Sequence, residues 1–266
     1  MILMFKREMK VYLKGFFIWT LITAAMYIMV FMMYPHIMND NTKESIDEMM
    51  KIFPEDILKA FNMDIASIDT AFGWLKSEGF VFILLVVGAY AGILGSSIIL
   101  KEESDKTIEY LNSLPVKRTN IVISKMLCGL IYVVAMVAGL GIINYVGLKA
   151  TCEFDEKQYM LLSVTPLFSS LVIYMLGMFI ATFTHKTKKM TGISLGLVFG
   201  SYILQVISGL SEDVEFFKYF TPFTLADVRN VIENTELEPI LIIISLVLCV
   251  VLFVGTLVHY NRKELV

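Results

Sequence analysis

Three cysteines and three histidines are all that 266 residues offer to a metal or a disulfide framework. Cys128 and Cys249 fall inside long apolar runs, where a thiol behaves as a small apolar group, and Cys152 stands alone. None of these spacings matches a zinc site or a disulfide scaffold. The chain also has no G-x-x-x-x-G-K-[ST] run, the loop whose backbone cradles nucleotide phosphates. Above all, charge is missing over long distances. The runs 15–34, 80–100, 121–148, 161–184, 190–210 and 239–260 are nearly free of it. Their middles carry no Asp, Glu or His, the groups on which a proton or sodium relay depends, which argues against an ion-coupled carrier.

What fills those runs is apolar. The chain is 57% hydrophobic with a mean hydropathy of +0.72, more than a soluble core of this size needs. About 20 uncharged residues in a helix cross ~30 Å of hydrocarbon. No stretch alternates apolar and polar residues as a barrel strand does, and helices satisfy their own backbone in lipid. The expected fold is therefore an all-α membrane protein of six transmembrane helices, read as a single domain over 1–266. The basic residues before the first run resemble a signal peptide. The run is too long for one, however, and no small-x-small site follows, so a retained first span is expected.

Charge counting orients the chain. With the N-terminus inside, 14 of the 22 basic residues lie in short inner segments and 19 of the 25 acids lie outside. The positive-inside bias then places both termini in the cytoplasm. The basic side is read as topology and attraction to anionic lipid, with no role for nucleic acid.

Between the spans, four segments carry pattern. In 1–14, Ile2, Phe5, Met9 and Tyr12 recur at helical spacing with Lys6, Arg7, Lys10 and Lys14 on other faces, which predicts an amphipathic helix lying on the membrane. The long outer loop 35–78 predicts short helices within 45–64, and places Trp74 in the interfacial belt. The outer segment 211–238 clusters Phe216, Phe217, Tyr219, Phe220 and Phe223, then predicts a capped helix over 224–233 with Asp227 at N3, and Pro239 opening the last span. Gly88, Gly92 and Gly95, and again Gly192, Gly196 and Gly200, let helices approach closely, either within the chain or at a dimer seam.

The fourth segment, 101–118, organises the rest. Ile108, Leu111 and Leu114 form a stripe at i, i+3, i+6, with Glu102, Glu103, Asp105, Lys106 and Glu109 around it, and a solvated loop needs no such stripe. Pro115 ends the helix. Lys117, Arg118 and Lys125 mark the headgroup level before the next span.

The run Glu102-Glu-Ser-Asp-Lys-Thr107-Ile-Glu109-Tyr-Leu111-Asn-Ser-Leu114-Pro115-Val-Lys-Arg118 resembles the membrane subunits of type-2 ATP-binding-cassette exporters, whose architecture is the type V exporter fold. Phe53-Pro-Glu in the first outer loop and Tyr219-Phe-Thr-Pro222-Phe in the last agree, as does the layout of six spans. The resemblance implies a coupling helix whose ATPase-coupling residues are Glu102, Glu103, Thr107, Ile108, Glu109, Leu111, Leu114, Pro115 and Arg118. It also implies a connecting helix with Phe5, Lys6, Arg7, Met9 and Lys10. The implied partners are an ATP-binding-cassette ATPase, which carries the ATP and Mg, a second permease in a homodimer or heterodimer, and membrane lipid. The chain itself is expected to bind no cofactor or metal and to catalyse nothing. The family usually has Gly before the Thr. Lys106 stands there instead, so the helix is expected to run through it and to start earlier.

One motif points elsewhere. Gly192-Ile-Ser194-Leu-Gly196 matches the G-x-S-x-G elbow of serine hydrolases, which needs a strand-to-helix turn and a His base. It sits in an apolar helix, where small-residue packing explains the same letters. An intramembrane serine hydrolase using Ser194 and a non-transporting scaffold or sensor are the alternatives. The leading expectation is an exporter permease in a bacterial cell membrane. The hydroxyls Thr20, Thr23, Ser96, Ser97, Ser169 and Ser170, with Asn144 and Gln205, suit a hydrophobic peptide, lipid or antimicrobial cargo better than an ion.

Overall fold

The computed structural model describes residues 2–37, 52, 70–113, 116–210 and 212–263. These form α1 (Ile2–Ile37), α2 (Ala71–Ser104), α3 (Ile108–Ser113), α4 (Arg118–Thr151), α5 (Glu156–Ala181), α6 (Thr187–Ser208), α7 (Arg229–Asn234) and α8 (Pro239–Arg262). Two 3-10 segments, Glu212–Phe220 and Pro222–Ala226, precede α7. No strand occurs among the described residues, and six of the helices are long and apolar enough to cross a membrane. The predicted helices within 45–64, Phe53-Pro54, Leu114 and Pro115 lie outside the described residues.

The bundle is built around α2 and α5, whose apolar stretches are 72% and 61% buried, against 11% for α8. α1 packs on α4, α6 on α2 and α8 on α5. The centre closes because glycines let two backbones touch: a Cβ on Gly95 would sit 2.2 Å from the carbonyl oxygen of Tyr174, and one on Gly177 2.7 Å from that of Gly92. The Gly88–Gly95 stripe is thus an intrachain seam. Nothing lies within 4 Å of a Cβ added at Gly192, Gly196 or Gly200, so that stripe on α6 is open. Gly95→Ala should cost about 3 kcal/mol, the upper end of overpacking, because backbone has to move. Gly196→Ala should leave stability unchanged; thermal unfolding of both variants in detergent checks the contrast.

Three expectations are corrected. The segment 1–14 does not form a separate helix: α1 continues through Gly15 for 36 residues, roughly 54 Å at 1.5 Å per residue. That exceeds the ~30 Å hydrocarbon core, so one continuous helix takes in both the predicted segment and the first span. Residues 2–14 keep one line because Tyr12 donates to Ser97 O at 3.2 Å and Tyr132 donates to Met9 O, pinning them to α2 and α4. The second span begins earlier than 80: a short helix from Ala71, capped by Thr70, runs through a π turn at Leu75–Gly79 into Phe80–Ser104, with Trp74 half-buried. The predicted helix over 224–233 does not start at Thr224. Thr221 caps the 3-10 turn, Asp227 is extended, and the helix begins at Arg229. Tertiary packing wins there, since Phe223 is buried against the surface left by Gly88. Pro239 opens α8 at its first turn, as predicted.

Candidate functional site

The start of α1, the α2–α4 connection and the end of α8 meet at one end of the bundle. The meeting point is a pair of consecutive acids. α2 runs on past its apolar stretch, so Glu102 and Glu103 arrive in its last turn, both buried, on neighbouring faces. Glu102 Oε2 accepts from Lys125 Nζ at 2.7 Å, and Arg7 lies 3.8 Å from its other oxygen. Lys125 also lies 3.7 Å from Glu8 and donates to the carbonyl of Ile98. Glu8, Glu102 and Lys125 are each at most 1% exposed, and the carboxylate of Glu8 accepts no hydrogen bond at either oxygen among the described residues. A buried ion pair owes its survival to its partner, because each charge alone would carry an unrepaid desolvation cost.

Glu103 faces the other way. Its two oxygens take Lys263 Nζ at 2.8 and 3.1 Å, and His185 Nδ1 bonds Oε2. Lys263 also donates to Thr184 O at 2.6 Å, tying the α5–α6 connection to the end of α8. Arg118 donates to Lys263 O at 3.0 Å and Asn261 O at 3.4 Å, satisfying carbonyls at the C-terminus of α8. Glu102 thus holds α1 and α4, and Glu103 holds α8 and the α5–α6 connection.

After the two acids the chain turns sharply. The expectation of a helix running through Lys106 is overturned: Lys106 has φ +56°, the left-handed conformation. Thr107 N–H reaches Glu102 O at 2.8 Å and Lys106 N–H reaches Glu103 O at 3.3 Å, which is the double bond of a Schellman stop. A side chain in this conformation costs about 1 kcal/mol or more, and the usual Gly of the resembled family avoids that cost. The turn pays off in packing: Ile108 and Leu111 become 3% and 2% exposed, clustered with Ile121, Met4 and Val116. Ile108 and Leu111 of the predicted stripe therefore face this chain's own α1 and α4. Asp105, Lys106, Thr107 and Glu109 form the exposed face of the turn.

On α1, Phe5 and Met9 pack on the core, while Lys6, Arg7 and Lys10 are exposed. Of the hydroxyls offered as a lining, Thr23, Ser96 and Ser169 are buried within the bundle and donate to carbonyls of their own helices, at 2.8, 3.1 and 3.2 Å. Ser194 donates toward Gly92 O at 3.1 Å and lies 3.2 Å from Ser96 Oγ, inside the α2–α6 contact, and among the described residues it bonds to no His. Glu8, His185 and Lys263 were missed as members of the site. For Glu8 a signal existed: it is the one acid in a basic segment and shares a helical face with Phe5 and Tyr12. Lys263 and His185 carry no such pattern.

A six-span bundle gathering its chain ends and its α2–α4 turn into one charged joint has the form of a membrane subunit worked from outside the bilayer. Residues 2–265 match the model of the ABC-2 family transporter protein, and the chain belongs to that family. It is a multi-pass membrane protein and the permease component of an ATP-binding-cassette transporter, with ATPase activity on a separate, partner subunit. The chain matches no curated protein and no solved structure.

Proposed function

We propose that this chain is half of an exporter in a bacterial cell membrane, two permeases working with two ATPases that carry the ATP and Mg. The cargo is hydrophobic or amphipathic: a peptide, lipid or antimicrobial. Both chain ends and the α2–α4 turn face the cytoplasm, in line with the basic residues concentrated at that end. The open Gly192, Gly196 and Gly200 face of α6 supports a second permease as neighbour.

The observation that carries this reading is the adjacent pair Glu102 and Glu103, each clamped to a different set of elements. Coupling needs a place where a push enters and a joint that distributes it. The ATPase docks on the exposed face of the turn, Asp105 to Glu109, beside the basic face of α1. Ile108 and Leu111 seat the turn on the bundle. When ATP draws the two ATPases together, displacement of the turn passes through Glu102 to α1 and α4 and through Glu103 to α8. A change at the inner end thereby reaches helices that border the passage between the two permeases.

The test uses Thr107→Cys in a chain whose Cys128, Cys152 and Cys249 are replaced by Ala. A membrane-impermeant maleimide should label it in inside-out vesicles and not in right-side-out vesicles, and bound ATPase should protect it. Labelling from the outer side only would overturn the orientation and with it the coupling.

A further inference from the structure

A wide cavity lies away from the charged joint, between α4 and α5. It has a volume of about 410 Å³ and is lined by Val134, Ala138, Ile142 and Tyr145 on α4 and Met160 and Val164 on α5, among others. Ile142 and Met160, at its mouth, are 66% and 58% exposed, so in a bilayer it opens sideways onto lipid. Two of its polar groups are engaged within the chain: Tyr159 donates to Gly141 O at 2.6 Å and Ser163 to Met160 O at 2.8 Å. The remaining wall is apolar and suits a chain of CH₂ groups better than a peptide or sugar.

We propose that this cleft holds one acyl chain of a zwitterionic phospholipid with an ammonium head, drawn from the surrounding bilayer. Its dimensions select the occupant. From Val134 to Tyr145 α4 rises roughly 16 Å, so the cavity of about 410 Å³ has a cross-section of roughly 25 Å². A helix at least 10 Å across needs about three times that, so a helix of a second copy lies over the mouth and does not fill the groove. A single unbranched hydrocarbon chain fits.

The rim selects the head. One turn beyond Tyr145, Lys149 Nζ lies 3.2 Å from the Tyr145 hydroxyl and 3.4 Å from Glu156 Oε1, in a pair whose side chains are 62% and 54% exposed. An ion pair so exposed is weakly held and re-pairs readily. Glu153 and Asp155 are also exposed beside it. The rim therefore shows a cation for a phosphate and acids for an ammonium, which disfavours a purely anionic head. The proposal stands whether or not the cargo is itself a lipid.

Native mass spectrometry of the full-length protein, released from micelles doped with phosphatidylethanolamine or phosphatidylglycerol of identical acyl chains, tests it. One phosphatidylethanolamine should remain bound, at least tenfold more than phosphatidylglycerol. Ala138→Phe, which fills the cleft from an exposed position, should abolish retention; Val164→Trp, also exposed, serves if the first variant does not fold. Glu156→Lys should keep the chain bound and reverse the headgroup preference. No retained lipid, retention unaffected by both cleft-filling variants, or a preference unmoved by Glu156→Lys would each overturn the proposal.

Discussion

Lys125→Met should destabilise the protein by about 3–5 kcal/mol, the cost of breaking a buried pair from one side. Lys125 is wholly buried and is the cation within reach of both Glu8 and Glu102. A Met of similar length fills the space but leaves two buried carboxylates facing each other, so the loss comes from charge and not from packing. Two companions separate the terms. Glu102→Gln combined with Lys125→Met should recover part of the loss, since neighbours in one network do not add. Glu8→Gln alone should cost little, because neither oxygen of Glu8 accepts a hydrogen bond among the described residues. Thermal unfolding in detergent reads all three. A Lys125→Met protein as stable as the parent would mean that the joint is not the structural centre of that end.

Reversing the exposed acids of the turn, Asp105→Lys with Glu109→Lys, should lower co-purification of the partner ATPase more than tenfold while leaving the unfolding temperature unchanged. Both side chains are exposed, and the pair that Asp105 makes with Lys101 at 2.9 Å is a surface one of small worth, so the fold has little stake in them. Leu111→Asp makes the opposite control. Leu111 is 2% exposed in the cluster with Ile108 and Ile121. A carboxylate there unseats the turn itself, so lost ATPase binding would come with lost stability. Unchanged co-purification with both acids reversed would remove the turn from the docking surface.

The six spans were legible because hydropathy over ~20 residues reports a length that the bilayer fixes. Their ends were less so. Residues 2–14 carry an interfacial pattern, yet Phe5, Met9 and Tyr12 pack on the core, against α4 and with Tyr12 bonded to α2, once α1 continues straight. At the turn, the pattern singled out Ile108 and Leu111 without showing which way they face. A stripe of Ile108 and Leu111 reads the same whether it faces a partner or its own chain, and only the left-handed turn at Lys106 decides which. Glu102 and Glu103 read as surface acids because their partners, Glu8, Lys125, His185 and Lys263, are dispersed along the sequence. Burial of such a cluster is a property of packing, which local pattern does not encode.

The most direct measurement is site-specific photocrosslinking from position 109 in membranes containing the partner ATPase. A benzoylphenylalanine replacing Glu109 should capture the ATPase, and one replacing Phe216, exposed on the Glu212–Phe220 segment, should not. Capture from position 216, or none from 109 with ATPase bound, would contradict the claim that force enters through this turn.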